Sequence, residues 1–167
     1  DKTGTLTEGK PSLDSISAAA NGDKTQILKL AAALNQNSEH PLSSAVLTEF
    51  KKENNEFHKV ENFENISGKG IKGIINGTTV LLGNEALLNQ FNITVPEILK
   101  NEVIRKQDEA KTVSYLAFGD QVLGSLNFSD KIKTSSKLAI EYLQKKNVDV
   151  IMMTGDNEHT AKAVAQS

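Results

Sequence analysis

Two short runs constrain this chain more than anything else in it. Ile74-Ile75-Asn76-Gly77-Thr78-Thr79-Val80-Leu81-Leu82 sets Asn-Gly between two apolar, β-prone stretches. Asn and Gly both tolerate the positive φ that a two-residue type I′ turn demands, so the run predicts a β-hairpin. Thr112 to Phe118 and Gln121 to Phe128 predict a second hairpin around Gly119-Asp120. Further extended segments are expected at Leu13 to Ile16 and at Val60 to Ile66. Between them the apolar spacing changes to that of helices. Ile27, Leu30, Ala31 and Leu34 form one stripe behind a capping Asp23, and Leu42, Ala45, Val46 and Phe50 form another behind Pro41. A short helix, Glu85 to Gln90, opens after Gly83-Asn84, and Pro96 starts one that reaches about Glu109, with Ile98 and Val103 on its stripe. Residues 13–128 therefore read as an α+β unit of short antiparallel strands and helices.

The pattern changes after Phe128. A helix with Leu138, Ala139, Tyr142 and Leu143 on one face precedes Val148 to Met153, a nearly unbroken apolar run. Such a run predicts a strand of a parallel sheet, buried on both faces. It ends in Thr154-Gly155-Asp156-Asn157, and a further helix is expected to the C-terminus. Strand, polar loop and helix in that order are how doubly wound sheets build sites at their carboxyl edge.

Chemistry concentrates at the start of the chain. Asp1-Lys2-Thr3-Gly4-Thr5-Leu6-Thr7 combines a carboxylate, a cation, hydroxyls and a glycine. Asp1 can attack a γ-phosphate to form an acyl phosphate, and Gly4 lets the backbone bend towards a phosphate. His40 sits just before the amides of a helix's first turn, where an anion or a purine edge can be held. In Ser67-Gly68-Lys69-Gly70-Ile71-Lys72-Gly73 the glycines allow a ligand close to the backbone.

Composition excludes other classes. The net charge of −2 offers no electrostatic case for nucleic acid, and the absence of cysteine removes disulfides and thiolate metal sites. No apolar run approaches the roughly 20 residues that span a bilayer.

The opening heptad resembles the phosphorylation loop of P-type ATPases, ion pumps that pass through an aspartyl phosphate. Ser38-Glu39-His40-Pro41-Leu42 resembles the Ser-Glu-His-Pro signature of the heavy-metal-transporting branch, copper pumps above all. Gly68-Lys69-Gly70, Gly83-Asn84 and Thr154-Gly155-Asp156 follow in that family's order, and Ser129-Asp130-Lys131-Ile132-Lys133 resembles its Asp-Pro-x-Lys stretch with Lys131 in place of Pro. The resemblance implies three segments. Residues 1–12 and 129–167 would be two pieces of an incomplete Rossmann-like, haloacid dehalogenase-like phosphorylation domain. Residues 13–128 would be an inserted nucleotide-binding domain, an antiparallel sheet flanked by helices.

It also implies roles. Asn35, Glu39, His40, Gly68, Gly70, Ile71, Gly73 and Asn84 would surround ATP. Asn35 stands where the family usually has a Glu that contacts adenine. Asp1 would take the γ-phosphoryl, the Thr3 carbonyl would join Asp1 in holding Mg2+, and Thr154 would steady the phosphoryl oxygens. Related phosphatases carry a second Asp, a general acid, at the position of Thr3; a hydroxyl cannot protonate a poor leaving group, which implies ADP as the leaving group and a lasting phosphoenzyme. The expectation is a soluble, monomeric fragment of a pump, at the cytoplasmic face of a membrane, binding ATP without forming phosphoenzyme by itself. Its partners would be ATP and the remainder of the pump. The alternatives are a free-standing phosphohydrolase whose middle region is a cap, and a non-catalytic nucleotide-binding module.

Overall fold

The computed structural model describes residues 1–52, 56–155 and 158–166. Its centre is a six-stranded sheet made of β1 (Ser12–Ala18), β2 (Glu61–Ile66), β3 (Gly70–Ile75), β4 (Thr78–Gly83), β5 (Thr112–Phe118) and β6 (Gln121–Ser129). The order across the sheet is β1-β6-β5-β4-β3-β2, and every neighbouring pair is antiparallel. Both predicted hairpins form. Asn76 and Gly77 take φ of 51° and 76°, the two positive values a type I′ turn requires.

Helices cover both faces. Lys24–Asn35 (α1) and Pro41–Phe50 (α2) lie on one, and Glu85–Gln90 (α3) and Glu97–Asp108 (α4) on the other. Successive strand residues point to opposite faces, so adjacent side chains enter different cores. Leu82 and Leu116 pack with Ile27, Leu34, Val46 and Phe50, while Leu81 and Tyr115 pack with Leu87, Leu88, Leu99 and Val103. Each fully buried Leu or Phe contributes about 2 kcal/mol of transfer free energy.

The capping expectations are met. The Asp23 carboxylate accepts from the Gln26 amide at 2.9 Å, and Pro41 opens α2. The stripe of α4 needs correction: Ile98 is 87% exposed, and Leu99 takes the buried position four residues before Val103.

Because β1 pairs with β6, the chain's entry to the sheet and its exit lie side by side, with Ser12 opposite Ser129. That register carries the flanking segments together. Thr7 bridges Ile132, the Glu8 amide donates to the Lys131 carbonyl at 2.8 Å, and the Lys133 amide donates to Leu6 at 2.9 Å.

Beyond this bridge the expected Rossmann-like arrangement is not observed. Thr134–Lys145 (α5) and Glu158–Gln166 (α6) are helical as expected, but Val148 to Met153 is not a strand. Ile151 is 83% and Met153 74% exposed. A doubly buried strand needs hydrogen-bonded neighbours and a helix on each face, and no parallel strand pair exists among the described residues. Instead α6 packs on α4. Asp156, Asn157 and Ser167, and part of the polar stretch after Lys52, lie outside the described residues. Among the described residues no helix is long and apolar enough to cross a membrane.

Candidate functional site

At the end of the sheet where β1 begins and β6 ends, a groove of about 1010 Å³ runs past Asn35, His40, Gly68, Gly70, Ile71 and Asn84 to Lys2, Thr3 and Thr154. Each wall follows from local sequence. Pro41 starts α2 and leaves His40 as its N-cap, where Nδ1 accepts from the Leu42 amide at 3.2 Å. An accepting Nδ1 makes the neutral ring carry its proton on Nε2, which is left as a donor. Asn35 ends α1 and is 4% exposed; its Nδ2 donates to the Ala31 carbonyl at 2.8 Å, one turn back. That carbonyl cannot donate, so the amide's Oδ1 is turned away from it.

The β2–β3 turn supplies the opposite wall. Gly68 takes φ of 71° and Gly70 φ of 147°. A Cβ on Gly70 would lie 2.3 Å from the Leu82 carbonyl oxygen, so only glycine lets β3 approach β4 this closely. Asn84 locks the turn: its Nδ2 donates to the Gly68 carbonyl at 2.9 Å while its Oδ1 caps α3 at the Leu87 amide.

The opening heptad forms a tight loop, with Gly4 at φ of 77° and the Thr7 amide returning to the Lys2 carbonyl at 3.1 Å. Thr7, 1% exposed, accepts from the Gly4 amide at 3.2 Å and donates to Asp130 at 2.6 Å. Lys133 donates to the Gly4 carbonyl at 2.6 Å. Two residues of the returning segment thus brace the loop.

The sequence-predicted residues divide into two groups. Asn35, His40, Gly68, Gly70, Ile71, Asn84, Thr3 and Thr154 line one groove. Asp1, Glu39 and Gly73 do not line it. Gly73 is a packing residue, because a Cβ there would meet Val60 at 2.5 Å and Leu34 at 2.8 Å. Glu85, Lys100 and Tyr115 also line the groove and were missed. Glu85 directly follows a motif residue and could have been found; Lys100 and Tyr115 sit in an ordinary helix and strand.

A tight loop over residues 1–7, braced by a later Asp and Lys, together with a groove walled by glycines, is an arrangement suited to handling phosphate. The chain belongs to the haloacid dehalogenase-like hydrolase family, which it matches over residues 1–167. Within that family it is similar to a copper-transporting P-type ATPase of Rhizobium leguminosarum bv. viciae, 41% identical over 167 residues, covering 100% of this chain and 20% of the relative. It is likewise similar to a copper-exporting P-type ATPase of Staphylococcus haemolyticus (strain JCSC1435), 37% identical, covering 99% of this chain and 20% of the relative. Among solved structures, a zinc-transporting PIB-type ATPase is 30% identical with a TM-score of 0.69, covering 99% of this chain and 26% of that one. The chain spans about 20% of the length of these curated relatives.

Proposed function

We propose that this chain is the ATP-binding portion of an ATP-driven copper pump that works through an aspartyl phosphate. One observation supports the reading: a single groove is lined both by Asn35, His40, Gly68 and Gly70, which the reading assigns to the purine, and by Thr3 and Thr154, which it assigns to the phosphoryl group. Residues 13–128 are then a nucleotide-binding unit inserted between two pieces, 1–12 and 129–167, of a phosphorylation domain. The adjacency of Ser12 and Ser129 supports that insertion, since an inserted unit must leave where it entered.

The residues suit a nucleotide. Asn35 and the Nε2 of His40 offer polar contacts at the base, Ile71 an apolar one, and the Gly68 turn leaves backbone open to a ligand. Asp1, exposed on its loop, is the phosphoryl acceptor: a carboxylate oxygen bonds to the γ-phosphorus as the bond to ADP breaks. Thr154 steadies the phosphoryl oxygens. Magnesium binds through few protein oxygens and the substrate's phosphates, so the Asp1 carboxylate and Thr3 carbonyl are a fitting donor set. Bound there, it would supply charge neutralisation. The partners are ATP and the rest of the pump, at the cytoplasmic face of its membrane.

NMR titration with ATP tests the site. Shifts should cluster at Asn35, His40, Gly68 to Gly73 and Asn84, and His40→Gln and Gly68→Asp should each weaken binding about tenfold or more. Shifts scattered elsewhere, or variants that bind as the wild type does, would sink the reading. Incubation with γ-labelled ATP should leave this piece unlabelled; hydroxylamine-sensitive label on Asp1 would overturn that part.

A further inference from the structure

One arm of the groove is reached by none of the sequence motifs. It lies between the start of α3, the middle of α4 and the first residues of β5, where Glu85, Lys100, Ser114 and Tyr115 line it. Tyr115 is only 5% exposed, and its hydroxyl makes no hydrogen bond with any described residue. Among the described residues only the Ser43 hydroxyl is both sealed and unpartnered, so that of Tyr115 still reaches open space in the groove. A donor that faces the groove and is engaged by no acceptor among the described residues is open to an acceptor on a ligand. Burial, and then the negative charge of Glu85, push the phenol up to about 12, so it remains a neutral donor at physiological pH.

The second donor is Lys100. Its Nζ donates to Glu85 Oε1 at 2.8 Å, with both side chains about two-fifths exposed at 41% and 42%. An exposed pair of this kind is weak. The Glu85 carboxylate therefore occupies Lys100 without holding it firmly, and a phosphoryl oxygen is a competent replacement.

We propose that Lys100 and Tyr115 form a phosphoryl-binding subsite in which Glu85 is an internal stand-in for the ligand, displaced when a phosphate oxygen enters. The phosphate is either the tail of a nucleotide seated in the groove, which rests on the ATP reading above, or free inorganic phosphate. No covalent step is involved. Lys100 and Tyr115 donate, and Glu85 sets the threshold by competing for Lys100.

Titrations of the whole chain with ATP, adenosine and inorganic phosphate, followed by NMR and calorimetry, decide it. Lys100→Met should weaken ATP about tenfold and Tyr115→Phe about threefold, with adenosine unchanged in both. Glu85→Gln should tighten ATP. The double variant Glu85→Gln/Lys100→Met controls for simple repulsion by an unpaired Glu85, and it should stay weak. If phosphate alone shifts the Ser114 and Tyr115 amides in the wild type and not in Lys100→Met, the subsite takes free phosphate. If only ATP responds to Lys100→Met, the nucleotide tail is the ligand. Unchanged ATP and phosphate affinities in Lys100→Met and Tyr115→Phe, or full recovery in the double variant, overturn the proposal. A wild type that binds neither ATP nor adenosine defeats the nucleotide reading instead, and the phosphate titration then still decides the subsite.

Discussion

Asn84 holds Gly68 in place: its amide nitrogen donates to the Gly68 carbonyl at 2.9 Å while its oxygen caps α3 at Leu87, 3.1 Å away. Both ends of the side chain are engaged by the protein, so its effect on a ligand runs through the turn it fixes. Asn84→Asp keeps the cap and sets a carboxylate against the Gly68 carbonyl. We expect little change in unfolding free energy but several-fold weaker ATP binding. Asn84→Ala should lose the cap as well, about 1 kcal/mol by urea denaturation. Equal binding losses with no difference in stability would contradict this division.

Gly70 and Gly68 should respond differently to alanine. At Gly70 the new Cβ meets the Leu82 carbonyl and Gly83 backbone within 2.6 Å, at a φ of 147°. At Gly68 it meets nothing within 4 Å, and only the φ of 71° opposes it. Gly68→Ala should cost about 1 kcal/mol and Gly70→Ala more than about 3 kcal/mol. Thermal denaturation of the two variants checks the order.

Ser43 offers a stabilising change. It is 3% exposed on α2, and its hydroxyl is buried without a partner among the described residues. Ser43→Ala removes the unsatisfied group at almost no loss of packing. It should raise stability by about 1 kcal/mol, read as a higher urea midpoint at unchanged m-value.

Asp14 makes stability depend on pH. Lys111 donates to its carboxylate at 2.8 Å and holds the carboxyl below its usual range. A carboxyl lowered on folding contributes stability above its unfolded pKa, about 3.9. That contribution is lost as pH falls through the lower folded value. Lys111→Met should therefore melt below the wild type at pH 7, and the two curves should converge as the solution is acidified below about pH 4. A gap that persists undiminished in acid would assign the effect of Lys111 to packing.

Local chemistry made much of this molecule legible in advance. Asn76-Gly77, Asp23, Pro41 and Asn84 act within a few residues of themselves, and each sits in the turn or cap its side chain favours. The motif residues Asn35, His40, Gly68 and Asn84 could be named because each belongs to a short pattern with its own chemistry. Ile98 was misplaced because neighbouring positions of a helix differ by only 100°, so Ile98 and Leu99 compete for one stripe until the sheet beneath decides. Val148 to Met153 failed for a larger reason. An apolar run records that a segment is suited to burial, and partners elsewhere must supply that burial; here the described chain supplies none.

Near-neighbour chemistry was thus enough to locate most helices and strands and the turns and caps between them. Which of the motif residues share a groove was settled by long-range packing. The pairing of β1 with β6 carried the two flanking segments together, Thr3 came to line the same groove as Gly68, and the packing of α4 set Lys100 against Glu85 in that groove. The physical reason is range: a cap or a turn is settled by bonds among near neighbours, whereas a site assembled from residues far apart in the chain depends on how whole strands and helices pack.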